Sequence, residues 1–74
     1  MEVEELRELA EKLERARFSE GTVEVDVDAL DTLLRIVGRA IAEMDMGNIY
    51  TAREILSEMG EIIYKAMKSF LNEH

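Results

Sequence analysis

Three arginines are the residues of this chain whose spacing suggests a chemical role. Arg35 and Arg39 are four residues apart, which places them on successive turns of one predicted helix, and Arg53 lies in the next helical segment. Guanidinium groups presented together bind anions such as nucleotide phosphates. The three form a candidate anion-binding site if a subunit interface brings them together. The alternative is that Arg35 pairs with Asp31, and Arg39 with Glu43, on an exposed helix face.

The net charge of the chain is strongly negative. Seventeen acidic and nine basic residues give a net charge of −8, and eleven of the acids lie in residues 1–34. Because binding to nucleic-acid backbone needs clustered lysine and arginine, direct DNA or RNA binding is disfavoured. The charge suits solubility or a basic protein partner. Glu20, Glu24 and Asp26 are the candidate acidic partner surface.

The residues that usually perform catalysis or bind metal are missing from the sequence. There is no cysteine, and the only histidine, His74, is the last residue, so a zinc cluster is not expected. Asp26, Asp28 and Asp31 lack the glycine and distal glutamate of a calcium-binding EF-hand loop. No glycine-rich phosphate loop occurs. The sequence therefore predicts a protein that is not an enzyme and has no metal and no cofactor.

The segments that would position the arginines are predicted to be helical. Apolar residues recur in them at spacings of three and four, which places these residues on one face of a helix. The predicted helices cover about 2–17, 28–46 and 51–72. Gly47 lies in the short connection between the last two, which are therefore expected to form an antiparallel hairpin. The chain is predicted to be one all-α domain, residues 1–74.

Helix starts are indicated by capping residues. Asp28, or alternatively Asp26, is a suitable N-cap for the second helix. Thr51 and Glu54 have the spacing of a capping box, which predicts that the third helix begins there.

Two glycines lie inside the predicted helices. Gly38 and Gly60 each cost roughly 1 kcal/mol relative to alanine at such positions. Our interpretation is that a neighbouring helix approaches closely at both.

Residues 22–27 connect the first helix to the hairpin and alternate apolar and polar side chains. A period of two is typical of a half-buried strand. No other segment shows this pattern, so the strand would pair with the same segment of another subunit, or the segment is an extended linker. An extended connector lets the first helix pack on its own hairpin or on that of a neighbour.

The length of the chain makes self-association the expected source of stability. Chains this short rarely bury enough apolar surface alone, and two hairpins joined face to face would form a four-helix bundle. The predicted function is a small, acidic, homo-oligomeric protein-interaction module, an adaptor or an inhibitor of the phage anti-defence type. Alternatives are a nucleic-acid-mimicking inhibitor of a basic host protein and a nucleotide-sequestering oligomer. With no signal peptide or membrane-spanning segment expected, the predicted location is the cytoplasm, that of the host if the protein is viral.

Overall fold

Three helices and one small antiparallel sheet make up the fold. The structure, a computed structural model, describes residues 3–73, apart from the side chains of Phe18 and of residues 70–73. The elements are α1 (Glu4–Glu14), β1 (Arg17–Ser19), β2 (Thr22–Glu24), α2 (Val27–Asp45) and α3 (Ile49–Glu73). The predicted all-α class, with an N-terminal helix followed by a helical hairpin, is confirmed. The predicted start of the first helix at residue 2 lies outside the described residues.

The segment after α1 folds into a local β-hairpin, which the sequence interpretation missed. α1 ends at Glu14 instead of about residue 17, because Arg17 enters β1 and lies opposite Glu24 of β2. Gly21 has a φ of 77°, a left-handed conformation that suits the tight turn. The hydroxyls of Ser19 and Thr22 are 2.6 Å apart across the hairpin. The strand predicted in residues 22–27 is therefore confirmed over Thr22–Glu24, but its partner is β1 of the same chain, so pairing with a second subunit was wrong.

The second helix, α2, begins at Val27, one residue before Asp28, which the sequence analysis preferred as its N-cap. Asp26 occupies the N-cap position of α2, as the alternative had it, although its side chain makes no capping hydrogen bond. Its carbonyl oxygen accepts a hydrogen bond from the Ala29 backbone N–H at 2.9 Å. Asp28 instead lies in the first turn, where a carboxylate interacts favourably with the helix dipole.

The third helix begins at Ile49, so the capping box predicted at Thr51 was wrong. The Asn48 carbonyl already accepts a hydrogen bond from Ala52 at 3.1 Å. The Asn48 side-chain amide donates to a carboxylate oxygen of Glu43 at 2.8 Å, which ties this connection to the end of α2. Gly47 has a φ of 85° and supplies the left-handed turn that the sequence predicted.

α1 packs on the hairpin of its own chain and forms one core with it. The buried apolar residues of this core are Val3, Leu6, Leu9, Ile36, Ala40, Ala52 and Ile55. Leu6 and Leu9 of α1 are three residues apart and face the hairpin, as their spacing predicted. The first helix therefore packs on the hairpin of its own chain.

The molecule has more surface than a compact chain of its size. Its radius of gyration is 13.3 Å, whereas a compact domain of this length has about 11 Å. Its accessible surface is 5601 Å², compared with about 4,700 Å² expected for a folded monomer of this mass. The excess reflects an elongated molecule, 43 × 22 × 20 Å along its principal axes, which has more surface for its volume than a sphere has.

Candidate functional site

One side of the hairpin carries large apolar side chains that the described part of the chain leaves partly or largely exposed. Their exposed fractions range from 37% to 81%. They are Val27, Leu30, Leu34, Ile41 and Met44 of α2, with Ile49, Leu56 and Met67 of α3. We call these eight side chains the open face.

Helix geometry places the open face opposite α1. At about 100° per residue, the five α2 side chains fall within a stripe roughly 100° wide. Buried Ile36 lies beside this stripe, and Thr32 and Arg39, which contact α1, lie on the far side of Ile36. α1 and the open face therefore occupy opposite sides of the hairpin.

A shallow groove near the inter-helix connection joins the end of the α2 stripe to exposed residues at the start of α3. Its volume is about 390 Å³. It is lined by Met44, Ile49, Ala52, Arg53, Leu56 and Ser57. Because only Arg53 and Ser57 in this lining are polar, the groove suits an apolar occupant with few polar contacts.

The open face is large enough to matter energetically. Its exposed fractions add up to about four fully exposed apolar side chains, and burying one such side chain stabilises by roughly 1.5–3 kcal/mol. Covering the face would contribute on the order of 10 kcal/mol before the costs of association. The eight residues together expose on the order of 700 Å², which is comparable with the ~300–600 Å² of the largest patch on a typical monomer. Surfaces of this size mark contact sites for other molecules.

Two of the three candidate anion-binding arginines already pair with carboxylates. Arg35 lies 2.8 Å from Asp31 one turn earlier, as the alternative interpretation predicted. Arg39 lies 3.2 Å from Glu5 of α1 and not beside Glu43, because α1 brings Glu5 to that side of α2. Both pairs are partly exposed, so each contributes little to stability.

Arg53 lies apart from the other two arginines. Its side chain lines the groove at the open face, whereas Arg39 faces α1. Within the described residues, Arg53 has no carboxylate within 4.0 Å. One chain therefore does not bring the three guanidinium groups together, and a site assembled between subunits stays a prediction.

The three candidate acidic residues lie close together in sequence around the β-hairpin. Glu20 is in its turn, Glu24 is in β2 opposite Arg17, and Asp26 precedes α2. All three are exposed. They form an accessible acidic segment, although Arg17 partly balances Glu24.

A polar link between α1 and α2 was not predicted from the sequence. The Lys12 ammonium donates a hydrogen bond to Thr32 Oγ1 at 2.7 Å and lies 3.3 Å from an Asp28 carboxylate oxygen. The Thr32 hydroxyl donates to the Asp28 carbonyl at 3.0 Å. The Lys12 side chain is only 16% exposed. The indication available in the sequence was Thr32, a polar residue four positions before Ile36 and therefore on the core face of α2.

The interior glycines do not face another helix of the same chain. A Cβ added at Gly38 or Gly60 would meet nothing within 4 Å, so the predicted close approach does not occur within the chain. Gly38 follows Leu34 by four residues and Gly60 follows Leu56 by four, so both glycines lie beside the open face.

The fold and the open face define a class of protein: a small helical hairpin covered by a third helix on one side only. No protein-family model matches the chain, and neither a curated protein nor a solved structure gives a match. In residues 3–73 no helix is long and apolar enough to span a membrane. The same residues contain no group of three or more histidine, cysteine, aspartate or glutamate side chains arranged to hold a metal ion.

Proposed function

We propose that this protein is a small, non-catalytic protein-interaction module that self-associates through its open face. The observation that carries the proposal is the position of this face: eight large, exposed apolar side chains lie on the side of the hairpin opposite α1. Covering these side chains removes their apolar surface from water, which is favourable.

In the associated protein, the acidic exterior faces outward and provides the functional surface. Glu20, Glu24 and Asp26 are exposed at the β-hairpin and do not belong to the open face. A concentrated negative surface attracts a partner with basic side chains and accelerates their encounter. The module would act as an adaptor or an inhibitor of such a partner in the cytoplasm.

The test of self-association is the absolute mass in solution, measured by light scattering on a sizing column over about a tenfold concentration range. We expect at least twice the 8.5 kDa of one chain. Leu34→Glu places a charge in the covered face and should weaken association by roughly a hundredfold or more. Since Leu34 is 68% exposed in the single chain, this variant should keep its helical circular dichroism.

Ser69→Glu is the matched control. Ser69 is exposed and lies two residues after Met67, which places it about 200° around α3 from that open-face side chain, so the added charge should leave the mass unchanged. A monomeric wild-type protein at every concentration would contradict the proposal.

A nucleic-acid-mimicking inhibitor is the second candidate function, favoured by the exposure of three acids around one β-hairpin. Such inhibitors, which phages encode against host defence proteins, present carboxylates where a basic groove would bind phosphates. Glu20→Lys, Glu24→Lys and Asp26→Lys together should abolish the capture of basic nucleic-acid-binding proteins from a host extract. Unchanged capture would count against mimicry.

The nucleotide-sequestering alternative has less structural support, because Arg35 and Arg39 already pair with carboxylates. It requires a second subunit to bring its own arginine into place. A rise in melting temperature with ATP or GTP, lost in Arg53→Gln, would support this alternative.

A further inference from the structure

The spacing of the apolar residues in the exposed stripe of α2 is the same in both directions along the helix. Its apolar residues follow one another at intervals of three, four, three, four and three; they are Val27, Leu30, Leu34, Val37, Ile41 and Met44. Val37 is half-buried and the other five belong to the open face. Alternating intervals of three and four are the heptad pattern by which two helices pack side by side.

We propose that a second copy of this chain docks on the open face about a two-fold axis perpendicular to the helices. α2 then packs antiparallel to α2 of the second copy, with Leu34 opposite its Val37 and Leu30 opposite its Ile41. A two-fold axis requires a self-complementary surface, and the symmetric spacing provides one. This inference rests on the proposed function and specifies which surfaces meet.

The same axis explains the interior glycines. The midpoint of the α2 stripe, between Leu34 and Val37, precedes Gly47 by eleven to twelve residues. Gly60 follows Gly47 by thirteen residues. In an antiparallel hairpin these positions are level to within roughly 2 Å. The axis therefore brings Gly60 close to Gly60 of the second copy, and the open space at its missing Cβ lets the two α3 backbones approach. Gly38 lies beside the centre of the α2 stripe and offers similar space.

The area of the open face suits a second copy. Its exposed apolar surface, on the order of 700 Å², approaches the ~800 Å² per partner of a standard-size interface. Asp31, which lies beside the α2 stripe, is paired with Arg35 at 2.8 Å. Asp31 therefore adds no unpaired carboxylate at the edge of the proposed contact.

Engineered cysteines test the geometry cleanly, because the chain has no cysteine of its own. In Leu30→Cys/Ile41→Cys the two sites are eleven residues apart on one helix, about 16 Å, which is too far for a disulfide within one chain. The antiparallel pairing places each new thiol opposite the other type in the second copy. We therefore expect mild oxidation to convert the double variant into a covalent dimer.

The single variants Leu30→Cys and Ile41→Cys are the matched controls and should stay uncrosslinked under the same conditions. If a single variant forms the covalent dimer as readily as the double variant, or if the double variant forms none although its mass shows a dimer, the two-fold arrangement is wrong while self-association stands. If the wild-type protein is monomeric at every concentration, the proposed function fails as well.

Gly60→Ala provides a second test that does not depend on cysteine chemistry. Within one chain the added methyl meets nothing, and alanine favours the helix over glycine. At a close crossing of two copies the methyl overpacks the contact, so the dimer dissociation constant should rise about tenfold, near the low end of what overpacking costs. An unchanged or lower dissociation constant, with helix content maintained, would contradict the close approach at Gly60.

Discussion

The two sides of the hairpin are built from the same helices but differ in what covers them. On the α1 side, Leu9, Ile36 and Ile55 are completely buried, whereas Leu34 on the open face is 68% exposed. The apolar arc of α2 and α3 is wider than a single helix of eleven residues can cover. The apolar pattern of the sequence therefore determines the extent of the apolar surface on the hairpin. The packing of α1 buries only part of this surface.

Polar contacts also distinguish the two sides. α1 is positioned by the Lys12–Thr32 hydrogen bond and by the Arg39–Glu5 pair at its other end. In the described residues, polar groups at the open-face groove are confined to Arg53 and Ser57. Docking of α1 is thus directed by specific polar pairs, whereas the docking that we propose on the open face would depend mainly on the spacing of apolar side chains.

The largest effect on stability is expected on truncating a core residue of the α1 side, compared with an exposed residue outside the open face. Leu9→Ala leaves a cavity under α1 and should lower the free energy of unfolding by about 3 kcal/mol. Tyr50→Ala, which removes a large but 84% exposed side chain, should change it by less than about 0.5 kcal/mol. Urea denaturation followed by circular dichroism measures both. Equal effects would mean that α1 does not pack as described.

The polar link on the α1 side should be the next most sensitive feature. Thr32→Val removes one of the two partners of the largely buried Lys12 ammonium and leaves only the Asp28 carboxylate, so we expect a loss of about 1 kcal/mol in unfolding free energy. Adding Lys12→Met removes the ammonium that has lost this hydrogen bond, so the double variant should lose less than the sum of the two single variants. Strictly additive losses would show that the two groups do not interact.

The connection between α2 and α3 should respond to substitution at its left-handed position. Gly47→Ala imposes a side chain at a φ of 85° and should cost about 1 kcal/mol in unfolding free energy. Gly47→Asn, which tolerates this conformation better, should cost less. A stabilising Gly47→Ala would indicate that the connection adopts another geometry.

The smallest effect is expected at the exposed ion pair on the α1 side. Arg39→Gln breaks the contact with Glu5, but the Arg39 side chain is half exposed, so the change should be below about 0.5 kcal/mol. The wild-type advantage should shrink further in 1 M salt, because screening weakens exposed pairs. A loss above about 1 kcal/mol would give this pair a structural role that its exposure does not support.

Much of the fold could be predicted, but the ends of its helices and strands depend on neighbouring residues that favour different boundaries. The spacing of Leu6 and Leu9 predicted the core face of α1, and Gly47 predicted the turn. The capping box at Thr51 failed because Asn48 offers an earlier start and the residues between them continue the helix. β1 escaped prediction because three residues are too few to show a period of two.

The open face could be predicted only in part. The broad apolar arc that includes Leu34 and Ile41 was evident from the sequence, but which portion α1 would leave exposed was not. That outcome depends on where α1 docks, and so on the Lys12–Thr32 contact, which joins residues twenty apart in sequence. The same docking turned Arg39 toward Glu5, away from the partner expected on its own helix.

The most direct test of the account is the accessibility of open-face methyl groups to a soluble paramagnetic probe, measured by NMR on the associated protein. We predict that the Leu34 and Ile41 methyl signals are protected nearly as well as those of buried Leu9. The methyls of Val23, exposed on β2 and outside the open face, should broaden strongly and serve as the exposed reference. If Leu34 and Ile41 broaden as much as Val23, the open face is uncovered in solution and self-association through it is wrong.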